Sequence, residues 1–345
     1  MSRWKYFFQR VVLMIPVLFL VMTLIFVIIR MGPLDPVASM LGPEASGAQA
    51  ERIRDQLGLN DPLWQQYVDF IVSLATFDLG QSWVIHPGRS VNALIGTYAP
   101  RTIWLGFWAV LLPLFIGIPL GFYAGLNQNS WADYVASFSG IVWLAMPNFW
   151  LSIMVLAILR RTQGGGLLGF DWYTIGPDVR SLIGTPPLNF VGFENGFYFD
   201  GGMLAVAIKV ILPPAIVLGS ASMATELRIG RTAMLETINS NYVETAKAKG
   251  LSNRVIIWKH VFRNALIPLL PVITNEALLL IGGSVIVEVI FGINGLGRLF
   301  FLAAYQGDLP LAGSLIFIFA LITISLNIIQ DLLYTVLDPR VGYET

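Results

Sequence analysis

The chain has 345 residues, of which 56% are hydrophobic and 12% charged, and its mean hydropathy is +0.71; water cannot solvate such a polypeptide as a globule, so an integral membrane protein is expected. Lys and Arg balance Asp and Glu at 21 each, which gives no sign of a nucleic-acid partner. With no cysteine, disulfides, thiolate chemistry and Cys-ligated metals are excluded, and the two histidines, His86 and His260, are far apart in sequence.

A membrane crossing needs about 20 mostly apolar residues, and six runs qualify: 11–29, 103–125, 134–159, 204–227, 264–290 and 312–336. The first follows Arg3, Lys5 and Arg10 but lacks a small-x-small cleavage pattern before "RMGPLDP", so it is read as a retained span rather than a leader. Segment 31–100 between the first two runs carries helical signals. In "AQAERIRDQLGLNDP", Ala50, Ile53 and Leu57 recur at helical spacing, with Gly58 and Pro62 as stops. In "LWQQYVDFIVSLATFDLGQSW", Trp64, Tyr67, Val68, Phe70, Ile71 and Leu74 give a second helix with a broad apolar face. The pair suits a lid or scoop at the outer mouth, or two helices packed on the bundle. Segment 160–203 is rich in Gly, Pro and aromatics and too irregular to assign. Pro113, Pro119, Pro147, Pro213, Pro214, Pro268 and Pro271 are expected to kink the spans that contain them.

An even number of spans puts both termini on one side. The basic residues Arg228, Arg231, Lys247, Lys249, Arg254, Lys259 and Arg263 concentrate in the loop between the fourth and fifth runs, whereas 31–100 has only Arg52, Arg54 and Arg89. The positive-inside bias then predicts cytoplasmic N and C termini, with Arg30, Arg101, Arg160 and Arg161 speaking against it. The chain reads as a stub and first span (1–30), an outer helical segment (31–100), a five-span core (101–337) holding outer loop 160–203 and inner loop 228–263, and a cytoplasmic tail (338–345).

The inner loop, "NYVETAKAKGLSNRVIIWKHVFR", is the most informative stretch. Asn241 is placed to cap a short helix with Glu244 as its third residue. Ala246 and Ala248 favour that helix, and Gly250 ends it in the left-handed conformation. Ser252 then starts a second helix that runs into the fifth span. A helix, a tight turn and a helix can decorate the surface over anionic headgroups or serve as a docking knob for a partner protein. A DNA-reading unit would have a core of its own, whereas this element is tied to spans at both ends.

"ETAKAKG" resembles the Glu-Ala-Ala-x-x-x-Gly signature of permease subunits in binding-protein-dependent ABC importers; Glu244, Ala246 and Gly250 match it and Thr245 replaces the first alanine. "HVFRNALIP" is similar to the dipeptide/oligopeptide/nickel branch, as are "LGLNDPLWQQYVDF", "FDLGQSW", "VEVIFGINGLGRL" and "LDPRVGY", so the resemblance runs nearly end to end. It implies an all-α integral membrane protein of the type I importer fold, with six transmembrane helices, in a bacterial or archaeal inner membrane. The implied partners are a second homologous permease, two ATPase subunits, an extracytoplasmic substrate-binding protein and the lipid bilayer, with no nucleic acid. The short helix becomes a coupling helix, its ATPase-contacting residues being Tyr242, Glu244, Ala246, Lys247, Gly250, Leu251 and Arg254. No G-x-x-x-x-G-K-[ST] phosphate cradle occurs in the chain, so no cofactor is expected here, and ATP and Mg belong to the separate ATPase subunits. Peptides are the best substrate expectation; nickel, sugars and opines also fit.

Ionisable groups at membrane depth point to a pathway or to paired structural roles. Glu276 is the leading pore candidate, able to meet a substrate amine or to pair with Lys209. Asn275 and Glu288 follow as pore or gate candidates, and Asn275, Asn327 and Asp331 also suit interhelical hydrogen bonds. The alternative class is an ion-driven secondary transporter or channel, whose usual paired repeats with broken helices are not evident. An intramembrane enzyme needs a clustered catalytic set, which the spans lack.

Overall fold

A computed structural model of the chain describes residues 3–31, 37, 41, 47–56, 58–166, 169, 171–176, 182, 184–192, 197–274, 276 and 285–337. In chain order the elements are α1 (Arg3–Met31), α2 (Gly47–Gln56), α3 (Leu63–Ala75), α4 (Val91–Leu112), α5 (Ile118–Leu126), α6 (Trp131–Ala145), α7 (Asn148–Arg161), β1 (Val191–Gly192), β2 (Tyr198–Phe199), α8 (Gly201–Ile238), α9 (Asn241–Ala248), α10 (Asn253–Thr274), α11 (Val285–Phe291), α12 (Leu296–Gln306) and α13 (Leu309–Leu337). The two short strands pair antiparallel, Val191 opposite Phe199. The stretches Val11–Met31, Val91–Leu126, Gly201–Ile238, Asn253–Thr274 and Leu309–Leu332 are each long and apolar enough to cross a membrane, and two broken pairs, α6 with α7 and α11 with α12, pass the same test together, giving five to seven crossings by length and composition. The all-α membrane architecture expected from the sequence is present.

The chain divides into two compact units, Met1–Pro100 with Asn294–Thr345, and Arg101–Ile293. In the first, α1 packs along α13. Gly313 permits the approach: a Cβ there would lie 2.6 Å from Ile29 Cδ1 and 2.9 Å from Ile25 Cγ2. α3 lies on α1 through Tyr67, whose hydroxyl is 2.8 Å from Thr23 Oγ1, and through Phe26, which meets the rings of Tyr67 and Phe70. Trp64 and Val68, expected on the same apolar face, are exposed; Tyr67, Phe70, Ile71 and Leu74 already complete one i, i+3, i+4, i+7 stripe, and the other two fall to its side. Ala50 and Ile53 of α2 are half-buried, and Gly58 ends that helix at φ +61°; Leu57 lies outside the described residues. Asp308, fully buried between α12 and α13, anchors the turn after α3. Its carboxylate accepts from Ser82 Oγ at 2.5 Å and from the backbone N–H groups of Trp83, Val84 and Ile85 at 3.1, 3.0 and 3.0 Å.

The second unit is built around α8. Helices α4 and α5 join through a π-turn, Pro113–Gly117, and pack along α8 by a stripe of glycines. A Cβ on Gly117 would lie 2.7 Å from the Met223 carbonyl and one on Gly125 2.9 Å from that of Arg231, while Gly121 closes on the Leu227 carbonyl. The four-residue steps 117, 121, 125 and 223, 227, 231 are one ridge meeting another at backbone distance. Asp200 caps α8, accepting from the N–H of Gly202 at 2.8 Å and of Met203 at 3.0 Å. Pro213 and Pro214 sit inside α8 without ending it.

The third apolar run differs from its reading as one span. The run 134–159 is not one continuous helix: α6 and α7 meet at a bend of 98°, because Pro147 lacks an N–H and holds Met146 extended at φ −89°, ψ 113°. As expected, the helix that opens at Asn253 runs on into the fifth run as one stretch to Thr274, with a π-turn, Ile256–Val261, at the junction.

Candidate functional site

The loop helix α9 is seated by two residues at i, i+3 spacing, Val243 and Ala246, which are buried among Ile118, Phe122, Met234, Ile256 and Val261. A second tie runs from Asn264 Nδ2 to the Tyr242 hydroxyl at 3.0 Å. The C-terminus of α9 is a Schellman turn: the N–H of Gly250 reaches the Lys247 carbonyl at 2.9 Å and that of Leu251 reaches the Ala246 carbonyl at 3.3 Å. Gly250 adopts φ +75°, with open space where a Cβ would stand. The N-terminal cap differs from expectation. Ser240, not Asn241, occupies the cap position, and its hydroxyl donates back to the Thr237 carbonyl at 2.6 Å, closing the end of α8 instead of opening α9.

Six of the seven expected coupling residues, Tyr242, Glu244, Lys247, Gly250, Leu251 and Arg254, are exposed. Ala246 is not: at 6% exposure it faces the chain's own core and seats the helix. Trp258, which the loop motif does not single out, is 63% exposed and packs its ring 5.1 Å from Phe262 on the same surface. The outcome is a knob with apolar, basic and acidic side chains outward and an apolar seat beneath, continuous with α10.

The ionisable candidates sort by their partners. Glu288 is fully buried and accepts from Thr102 Oγ1 at 2.9 Å, an interhelical hydrogen bond. Lys209 donates to the Tyr173 carbonyl at 3.4 Å and to the Ile175 carbonyl, so it is engaged in holding the loop before β1. Of the two alternatives for Glu276, the pair with Lys209 gives way: Glu276 meets Ser222 and Glu226 of α8. Ser222 and Glu226 stand one turn apart on α8. Asn275 lies outside the described residues. Asn327 and Asp331 line a cleft of about 210 Å³ with Leu13, Met14 and Val17 of α1. Asp133, buried at the start of α6, is held by Arg231 of α8 in a two-point pair with Nε at 2.5 Å and Nη2 at 2.8 Å. Glu226 and Asp133 carry no motif of their own, and nothing short of the fold brings them to these partners.

Residues 117–343 match the family described as binding-protein-dependent transport system inner membrane component, and residues 3–83 match its N-terminal membrane-component family. The chain is 35% identical to a dipeptide transport system permease protein DppB of Alkalihalophilus pseudofirmus, over 98% of this chain and 99% of the relative. It is 34% identical to an oligopeptide transport system permease protein AppB of Bacillus subtilis over 98% and 99%, and 32% identical to a di/tripeptide transport system permease protein DppB of Pseudomonas aeruginosa over 97% and 98%. With a helical membrane architecture matched by family over both the N-terminal segment and the core, this chain belongs to the inner-membrane permease components of binding-protein-dependent transport systems.

Proposed function

We propose that this permease imports peptides handed over by an extracytoplasmic binding protein, through a pore formed with a second permease, by alternating access driven by ATP hydrolysis on two separate ATPase subunits. The observation that carries the coupling role is α9: an exposed helix, closed by a glycine in the left-handed region and seated on the core by Val243 and Ala246. An ATPase groove that grips Tyr242, Glu244, Lys247, Leu251 and Arg254 can move the bundle only because the seat is rigid, and the two states shift only through different contacts in each. The names of the relatives support peptides as the cargo. Both termini and α9 are assigned to the cytoplasm, and Glu276 to the translocation path.

The test is Gly250→Val in the full transporter reconstituted in liposomes. A β-branched residue in the left-handed region costs about 1–2 kcal/mol, released by unwinding the turn. ATP-driven dipeptide uptake is expected to fall at least tenfold, with reduced ATPase association and normal membrane insertion; unchanged uptake overturns the coupling role.

A further inference from the structure

Buried carboxylates in this protein are met by donors: Asp308 by four, Asp133 by Arg231 and the Asn129 N–H, Asp171 by the N–H groups of Gly164 and Tyr173, and Glu288 by Thr102. Glu226 and Glu276 are different. Glu226 is fully buried and Glu276 is 4% exposed. Yet both carboxylate oxygens of Glu226 and Oε2 of Glu276 are buried without a hydrogen-bond partner among the described residues. Ser222 is the hydroxyl group beside Glu276. The two cations that follow Glu226 on α8 are engaged or turned away: Arg231 pairs with Asp133, and Arg228 is exposed.

Leaving ionisable oxygens dry and unpaired is costly in a protein interior, so the arrangement calls for a partner that brings donors and positive charge. Three unpaired acceptors on two facing acids match the three N–H donors and single charge of a primary ammonium group. A metal centre fits less well, since no group of three or more His, Cys, Asp or Glu side chains exists among the described residues. We propose that Glu226 and Glu276 bind the primary ammonium group of the transported solute at an intermediate point of its passage. This rests on the import function proposed above and defines its cargo as a solute with a free amine. The site offsets the cost of carrying an ammonium through a low-dielectric region, where an isolated charge is expensive. Because the acids sit on α8 and on the chain that continues α10, a movement of α10 against α8 opens or closes the pair.

The test uses the complete transporter in proteoliposomes with alanyl-alanine. Glu226→Gln and Glu276→Gln together are expected to lower ATP-driven uptake at least tenfold in a complex that still purifies with all its subunits; uptake within twofold of wild type overturns the site. Wild-type complex that fails to import alanyl-alanine overturns the peptide function itself, a result separable from failure of the site. A second measurement needs no variant. Dicyclohexylcarbodiimide, which modifies membrane-buried carboxyls, is applied to the wild-type complex and labelling of Glu226 and Glu276 is read by mass spectrometry. Methylammonium, with three N–H donors, is expected to reduce labelling at least threefold, while tetramethylammonium, equally charged but without donors, does not. Equal labelling in all samples, or equal protection by both cations, overturns an ammonium site.

Discussion

Two buried acid sites, one in each unit, show opposite solutions to the same problem. Asp308 is wholly enclosed and every approach to its carboxylate is filled by a hydroxyl or a backbone N–H, so the charge becomes the fastener that holds residues 82–85 in place. Glu226 and Glu276 are almost as deeply enclosed, yet three of their four carboxylate oxygens are buried without a hydrogen-bond partner among the described residues. A saturated carboxylate stabilises the fold, whereas an unsaturated pair burdens it, and the burden makes sense where a ligand completes the set.

The largest expected effect is at the saturated site. Asp308→Ala strands the Ser82 hydroxyl and three N–H groups, and with charged hydrogen bonds contributing about 1.5–3 kcal/mol each the loss should reach on the order of 4 kcal/mol. It is measured by thermal unfolding in detergent together with proteolytic cleavage at residues 82–85; a loss below about 1 kcal/mol breaks the comparison. Asp133→Ala comes next. It leaves Arg231 unpaired, but that side chain is 29% exposed and can turn to water, so about 1–3 kcal/mol is expected, and removing the stranded charge with Arg231→Met in the same chain should recover part of it. The smallest effect, and one of opposite sign, is predicted for Glu226→Leu with Glu276→Leu: removing unpaired buried acids should leave the melting temperature unchanged or higher. A marked drop there would show that the pair is structural after all.

Much of this architecture was legible in the chain itself. The apolar runs were, because crossing a bilayer is a property of about 20 consecutive residues. So was the turn at Gly250, since its neighbours leave the left-handed conformation to the residue that adopts it without penalty. Pro147 signalled a disturbance in the third run, though not a bend of 98°, which depends on how α6 and α7 pack on α8 and α11. The inward face of Ala246 was implicit in its i, i+3 relation to Val243, but the signature motif drew attention to it as a contact. Ser240 lost the capping role to its neighbour in sequence reasoning because its hydroxyl had two carbonyl and N–H claimants and only the fold decides which it serves.

Sequence alone determined which segments leave water, where the loop helix stops, and which family the motifs resemble, because these follow from the transfer free energies and backbone preferences of residues close together along the chain. Tertiary structure alone decided the pairings: Asp308 with residues 82–85, Asp133 with Arg231, and Glu226 with Glu276 rather than Glu276 with Lys209. A hydrogen bond between residues far apart in the chain depends on distances that no local preference encodes, and those distances exist only once the helices of each unit have packed.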